Sequence, residues 1–245
     1  TAVLASALSM VQKDARRFFC CMVISHTAMV LIGLEVATPI GLTGAMCVWL
    51  SAGLSLGGFG LTLRALEARR GRLKLTRFQG LYEHAPALAI CFLLTGLGCV
   101  GFPGTIGFIG TEMLIDGAVG AYPHVGPMIV IAATFNGIAI LRAYFLLFTG
   151  VRYSSSVSLQ IGGRERIAVL TLAALVLGGG FFPQPGVSSA FHASQYLIKE
   201  RSVRLPEEHD DDDDDDDDEE DHKHNGDHDH EDHPGEHHKQ GDHND

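Results

Sequence analysis

A break rich in glycine and proline interrupts a long apolar run in the middle of this sequence, and it constrains the fold more than any other feature. The break contains Gly101, Pro103, Gly104 and Gly107, and a carboxylate, Glu112, follows it. Broken helices and buried charges are costly inside a lipid bilayer and persist mainly where they line an ion or substrate path. The pattern therefore predicts an integral membrane protein that moves an ion.

The net charge of −11 averages two unlike parts of the chain. Residues 1–204 carry 16 Lys and Arg against eight Asp and Glu. Their apolar runs are long enough to cross a membrane, which takes about 20 residues. Residues 205–245 carry 21 Asp and Glu against two Lys. Such a density of acidic residues cannot bury a core, so this tail is predicted to be disordered.

The predicted fold class is all-α: a polytopic bundle of transmembrane helices with one discontinuous helix, followed by a disordered, acidic and His-rich tail. Residues 1–189 form the transmembrane part. Residues 190–204 form an amphipathic segment, which either lies along the membrane surface or simply ends the bundle. Residues 205–245 form the tail. Full crossings are predicted at residues 18–35, 39–63, 86–120, 125–149 and 167–183.

The start of the chain predicts a fragment. The sequence begins at Thr1 without a methionine or a signal peptide, inside what reads as the end of a helix already under way. We therefore expect the upstream half of the transmembrane part to be missing.

The run over 86–120 has two interpretations. As one straight helix it would be about 50 Å long, too long for a single unbroken crossing. It is either a helical hairpin or one crossing broken at the glycine–proline segment. The positive-inside rule favours one broken crossing. In that case a third basic cluster, Arg152, Arg164 and Arg166, lies on the cytoplasmic side together with the two earlier ones. The first cluster precedes the first full crossing and consists of Lys13, Arg16 and Arg17. The second follows the second crossing and consists of Arg64, Arg69, Arg70, Arg72, Lys74 and Arg77.

Four side chains are candidates for carrying protons or charge within the membrane. Glu112 is predicted as the central protonatable site, because a carboxylate in apolar surroundings suits reversible protonation; the alternative is an acid that complements a helix N-terminus. Asp116 lies one turn further on the same face, as a second site or an interfacial charge. His26 is a proton relay or a buried neutral imidazole. Arg142 links a chain of charges or snorkels toward the cytoplasmic end.

The remaining residues exclude several classes of function. The five cysteines lie in apolar runs without a CxxC pair, so a disulfide framework, a zinc site and an iron–sulfur cluster are not expected. The chain has no Walker A loop, dinucleotide fingerprint, nucleophile elbow or haem attachment motif. We therefore expect no cofactor and no nucleic-acid partner. The tail is either solvated and without function or a weak divalent-metal site, with candidate ligands His222, His224, His228 and His230.

Three stretches resemble the antiporter-like membrane subunits of respiratory complex I, that is, subunits L, M and N of NADH-quinone oxidoreductase, and their relatives in Mrp-type Na⁺/H⁺ antiporters. Residues 12–17 followed by 24–26 resemble the motif Q-x-D-[IL]-K-R … S-x-S-[HQ]. The pairs at 53–54 and 80–81 resemble the H-G-L and G-G-L elements. Residues 101–108 resemble G-x-P-G-[TF]-x-x-F-x-[GS]-[EK], the most specific of the three. The matches span about residues 1–150 and correspond to the C-terminal half of such a subunit.

This resemblance implies an architecture and a function. The family has two inverted five-helix repeats, each with a broken fourth helix and a charged residue at the break. It implies a proton-conducting, multi-pass subunit in a prokaryotic cytoplasmic membrane, partnered by the lipid bilayer and by other membrane subunits. Such a chain is at most a non-redox subunit of a proton-translocating enzyme, because redox chemistry belongs to other subunits.

Three departures from the family motifs bear on conduction. Thr111 stands where the family has Glu or Lys, and Glu112 follows one residue later, about 100° away around a helix. Ala52 replaces the histidine of H-G-L. Arg16, which the resemblance places on the proton pathway, replaces a lysine and does not readily release a proton. Two alternatives follow: a membrane subunit of a proton-driven bicarbonate or CO₂ uptake complex, and a structural relative that has lost conduction.

Overall fold

Eight α-helices account for most of the chain that the structure describes. The structure is a computed structural model and describes residues 1–83, 85–150 and 163–204. Within these ranges it contains no strand, so the predicted all-α class is confirmed there, whereas the acidic tail lies outside them. The helices are α1 Ala2–Val11, α2 Ala15–Val36, α3 Pro39–Arg70, α4 Pro86–Val100, α5 Ile106–Ala121, α6 Val125–Phe148, α7 Gly163–Phe181 and α8 Gln184–Arg204, with a 3₁₀ turn at Leu81–Glu83.

Three of these helices, α2, α3 and α6, are long and apolar enough to cross a bilayer by themselves. Helices α7 and α8 meet at a bend of 77° and make a fourth crossing if they are taken as one broken span. The bend lies at Phe182 and Pro183, where the proline removes a backbone donor and cannot continue a helix. This second break was not predicted from the sequence, which had placed a separate segment at 190–204.

One end of the bundle gathers the basic residues, and we call it the basic end. There the linker between α1 and α2 pairs with the linker after α3, since the Ala15 backbone N–H donates to the Leu73 carbonyl at 3.1 Å. The Gly80 backbone N–H donates to the carbonyl of Thr149, just beyond α6, at 3.0 Å. The first two basic clusters therefore share one end of the bundle, as expected. Arg152, from the third cluster, lies outside the described residues.

Helices α4 and α5 together run antiparallel to α3. In the half of the bundle nearer the basic end, Thr95 of α4 lies against Gly58 of α3. Further from that end, Gly110 of α5 lies against Val48 of α3. The two helices thus make one traverse of the bundle, interrupted at residues 101–105. The prediction of a single broken crossing is confirmed, and a helical hairpin is excluded.

An aromatic cluster fills the core nearer the basic end. Phe18, Phe59, Phe92 and Phe148 are all almost fully buried. The ring centroids of Phe59 and Phe92 lie 4.4 Å apart, and those of Phe92 and Phe148 lie 5.4 Å apart, within the range of favourable aromatic pairs. This cluster ties α2, α3, α4 and α6 together on the basic side of the break.

Glycines bring the backbones of α3 and α5 into direct contact on the other side of the break. A Cβ atom at Gly44 would collide with the backbone of Leu114. A Cβ atom at Gly110 would lie 2.8 Å from the backbone nitrogen of Val48, closer than side chains normally approach. Small residues let helices associate in lipid, where there is little hydrophobic force to drive them together. These glycines therefore fix the depth at which α5 sits against α3.

We expect Gly44→Ala to destabilise the protein by about 1–3 kcal/mol, the usual cost of forcing an extra methyl group into a packed interface. Gly53→Ala is the matched control, since it lies on the same helix and a Cβ there meets nothing within 4 Å. It should be neutral or stabilising by up to about 1 kcal/mol through helix propensity. Thermal unfolding of the protein in detergent checks both variants. Equal midpoints for the two would contradict the close packing of α3 and α5.

Candidate functional site

The break between α4 and α5 is built by two glycines in the left-handed region. Gly101 ends α4 with φ of 76°, and Gly104 has φ of 90°, a conformation that side chains with a Cβ rarely adopt. Pro103 lies between them and cannot donate a helical hydrogen bond. A Cβ atom at Gly101 would also lie 3.0 Å from the carbonyl oxygen of Gly107. The predicted break residues therefore end α4 and place its last residues beside the first turn of α5.

The break frees a backbone carbonyl that His26 binds. The last four carbonyls of a helix lack helical partners, and Cys99 contributes one of them at the end of α4. The Nε2 atom of His26 lies 2.6 Å from this carbonyl oxygen, and its Nδ1 atom lies 2.8 Å from the carbonyl oxygen of Met22, one turn earlier on α2. His26 is 3% exposed. The imidazole is thus held at both nitrogens, with one end at the break.

A small cavity lies beside His26 at the break. It has about 10 Å³ available to the centre of a water molecule, close to what one water molecule needs. Helices α2 to α6 all contribute to its wall. The lining contains hydroxyl, amide and imidazole groups but no carboxylate, lysine or arginine: His26, Met29, Val48, Ser51, Ala52, Cys99, Val100, Gly107, Thr111, Ala133 and Asn136.

The register of α5 turns Thr111 toward this cavity and Glu112 away from it. Thr111 lines the cavity and donates its hydroxyl to the Gly107 carbonyl at 2.8 Å. Glu112 and Asp116 are exposed on the surface of the described chain. No hydrogen bond or ion pair joins either carboxylate to His26 in the described part of the protein. The position where the resemblance expects a charge is therefore occupied by an uncharged hydroxyl.

Arg142 lies near the basic end and caps α1. Its Nη1 atom donates to the carbonyl oxygen of Met10 at 2.5 Å and, more weakly, to that of Gln12 at 3.4 Å. Met10 is in the last turn of α1, where carbonyls lack helical partners and a positive charge is favourable. Arg142 and His26 are not hydrogen-bonded to each other. Glu112, His26 and Arg142, three of the side chains predicted to carry protons or charge, thus have separate surroundings.

Arg16 belongs to an ion-pair network at the basic end. Its Nε atom donates to both carboxylate oxygens of Glu67, at 2.9 and 3.2 Å. Beside this pair, Asp14 caps α2 and accepts from Arg72 at 2.8 Å. Burial opposes ionisation of Asp14, but the Arg16 backbone N–H and the Arg72 guanidinium together hold the pKa of its carboxyl below the usual value. Arg16 therefore joins α2 to the end of α3.

Two residues that were not predicted as site residues line the cavity, and four predicted metal ligands lie outside the residues that the structure describes. Ser51 and Asn136 line the cavity, and Asn136 is completely buried. A buried amide within an apolar helix is a signal that could have been found in the sequence. The tail histidines predicted as weak metal ligands lie outside the described residues: His222, His224, His228 and His230.

Known proteins share both the sequence pattern and the fold. A family described as "NADH:quinone oxidoreductase/Mrp antiporter, TM" matches residues 1–136. NADH-quinone oxidoreductase subunit M of Mycobacterium tuberculosis is 30% identical over 175 residues, which is 71% of this chain and 32% of that protein. This chain therefore spans about a third of the length of that relative.

Two solved assemblies contain chains with the same helix arrangement. A chain of the Mrp complex from Dietzia sp. DQ12-45-1b superposes with a TM-score of 0.74 at 18% identity, over 82% of this chain and 46% of that one. That likeness concerns the fold alone. A chain of respiratory complex I from Thermus thermophilus superposes with a TM-score of 0.68 at 25% identity, over 80% of this chain and 42% of that one.

Replacing Arg142 with leucine should loosen α1, because the variant removes charged hydrogen bonds to its terminal carbonyls. Such bonds contribute about 1.5–3 kcal/mol, and the lower end applies to this partly exposed side chain. Arg64→Leu is the control, an exposed arginine on α3 whose loss should change stability by less than about 0.5 kcal/mol. Thermal unfolding in detergent compares the two. If both variants unfold like the wild type, Arg142 does not act as a cap.

Proposed function

Since this chain belongs to the NADH:quinone oxidoreductase/Mrp antiporter transmembrane family, we propose that it is part of a proton-conducting membrane subunit. The subunit works in a larger complex of the NADH-quinone oxidoreductase or Mrp antiporter kind and couples proton movement to a reaction elsewhere in that complex. Other membrane subunits and the lipid bilayer are its partners. The proposed location is the cytoplasmic membrane of a prokaryote.

The hydrogen bonding of His26 is the observation that carries this proposal. Both partners of the ring are carbonyl oxygens, which only accept hydrogen bonds. A neutral imidazole carries a single N–H and donates to one of them, whereas the protonated ring donates to both. A carbonyl oxygen has no proton to give, so a proton reaches or leaves the ring through a water or another group that replaces one of these carbonyls. Between those steps the two carbonyls hold the protonated ring in place, and this bonding suits a relay at the break.

The cavity provides the next step of the proposed path. It adjoins His26 and reaches Thr111 on the second turn of α5. No carboxylate lines it, so a proton passing through meets neutral hydroxyl and amide groups there. The path we propose therefore follows the face of α5 that carries Thr111.

The other residues predicted on the pathway take different parts in this proposal. Arg16 and Arg142 act as fixed positive charges near the basic end, where each is bonded to a partner. Glu112 and Asp116 face outward from the described chain. Glu112 as the central protonatable site remains the competing hypothesis, and it requires another part of the complex to cover that face.

The family match and the relative NADH-quinone oxidoreductase subunit M support proton conduction over the two alternatives. Proton-driven uptake of bicarbonate or CO₂ remains a prediction from the altered motifs. A structural relative that has lost conduction likewise remains a prediction from the altered motifs. The non-conducting relative differs from the proposal in whether His26 limits proton flux, whereas the uptake complex differs in the reaction of the partner that proton flux is coupled to.

We expect His26→Gln to lower coupled proton flux by about a hundredfold, the lower range for losing a positioned proton-transfer group. Glutamine can still donate to the Cys99 carbonyl, so the packing at the break is kept. His192→Gln, at an exposed histidine of α8, is the matched control and should leave flux unchanged. The measurement is proton uptake by proteoliposomes that hold the intact complex. A correctly assembled His26→Gln complex with undiminished flux would overturn the proposed function.

A further inference from the structure

The side-chain amide of Asn136 has a defined orientation. The hydroxyl of Ser25 donates its only hydrogen to the carbonyl of Ala2 at 3.1 Å. Its oxygen can therefore only accept from Asn136, 2.9 Å away, and the atom that donates must be Nδ2. The Oδ1 atom is therefore the polar atom of the amide that is not bonded to Ser25. Asn136 lines the cavity at the break.

The Oδ1 atom of Asn136 lacks a hydrogen-bond partner among the described residues, although Asn136 is completely buried. Leaving a buried acceptor unpaired is costly, so such atoms in folded proteins are normally paired with protein or ordered water. The neighbouring hydroxyls offer it no hydrogen. Thr111 donates to the Gly107 carbonyl at 2.8 Å, and Ser51 points toward the Gly98 carbonyl at 3.4 Å. The cavity therefore presents acceptors and needs a donor.

We propose that the cavity holds one ordered water molecule that donates to Asn136 Oδ1 and to the hydroxyl oxygen of Thr111 or Ser51. The volume of about 10 Å³ matches a single water. A hydrated cation does not fit in this space, and a bare cation would enter without a carboxylate to balance its charge. Asn136 is thus a positioning residue, which fixes the water between His26 and Thr111.

This water lies beside Thr111, the position at which the family motif carries a charged side chain. Its role in conduction rests on the proposed function: the oxygen of a water beside His26 can accept the proton of Nε2 when that nitrogen leaves the Cys99 carbonyl. The presence of the water in the cavity does not depend on the proposed function. Bridging waters of this kind are nearly as favourable as direct hydrogen bonds.

A density map of the intact wild-type complex, at a resolution that shows other buried waters, tests the structural part. We expect one peak within hydrogen-bond distance of Asn136 Oδ1, unchanged when sodium in the buffer is replaced by choline. An empty cavity overturns the proposal. A peak that disappears without sodium also overturns it, because the occupant is then a cation.

Two variants test the role of Asn136. Asn136→Leu removes Oδ1, and we expect it to abolish the water peak and to lower proton flux by about tenfold or more, through loss of a positioned relay group. Ser25→Ala removes the hydrogen bonds to Nδ2 and to the Ala2 carbonyl but leaves Oδ1 in place, so it should keep the water peak and hold the flux within about twofold of wild type. Equal losses in the two variants would make Asn136 a helix-packing residue and overturn its positioning role.

The outcomes also separate this inference from the proposed function. If His26→Gln leaves flux unchanged, the proposed function fails whatever the map shows. If His26→Gln lowers flux while the wild-type cavity is empty, the function stands and the water does not. Because the wild-type map needs no variant, the test survives a failure of Asn136→Leu to assemble.

Discussion

The direct backbone contact between α3 and α5 is the constraint on which the rest of the site depends. Gly44 and Gly110 leave no side chain between the two helices, so their separation and depth are fixed by backbone atoms. Any residue with a Cβ at either position would push α5 outward. Since Gly107 and Thr111 belong to α5, this contact sets where the start of the helix meets the cavity wall. Close packing of small residues replaces the hydrophobic force that lipid does not supply.

The break between α4 and α5 then places a free polar group inside the packed bundle, because it leaves a backbone carbonyl of α4 without a helical partner. An unbroken helix would bond every internal carbonyl to its own backbone, and His26 would find no acceptor on α4. Because α4 ends at Val100, the Cys99 carbonyl is free for the imidazole. The same interruption opens the small space beside the ring. The costs of ending a helix inside the bundle are thus offset by a histidine and, in our proposal, by one water.

Much of the architecture could be predicted from the sequence because lipid restricts the choices. Apolar runs of sufficient length become helices, and the glycine–proline segment becomes a break, since the bilayer allows few other solutions. The clustering of basic residues at one end followed from the same constraint. The break at Pro183 was missed, although the proline itself was visible, because the apolar run there was read as ending rather than bending.

The site was harder to predict because it depends on helix rotation. Thr111 and Glu112 are neighbours in an apolar helix, and nothing in their immediate surroundings says which one faces the bundle. Gly107 and Gly110 indicate which face of α5 packs against the bundle, because neither has a side chain. Thr111 lies one turn after Gly107 on that face. The amide of Asn136 within an apolar helix was visible in the sequence, but which of its atoms faces the cavity depends on Ser25, on another helix, which fixes its orientation.

The central claim is that protons pass on the cavity face of α5 and not on the carboxylate face. The most direct measurement is proton uptake by proteoliposomes with the intact complex, comparing Thr111→Val with Glu112→Gln. Valine keeps the shape of threonine but removes the hydroxyl that faces the cavity. Our account predicts a several-fold loss of flux for Thr111→Val and nearly normal flux for Glu112→Gln. Loss of flux in Glu112→Gln with normal flux in Thr111→Val would contradict it and place the path at the carboxylate.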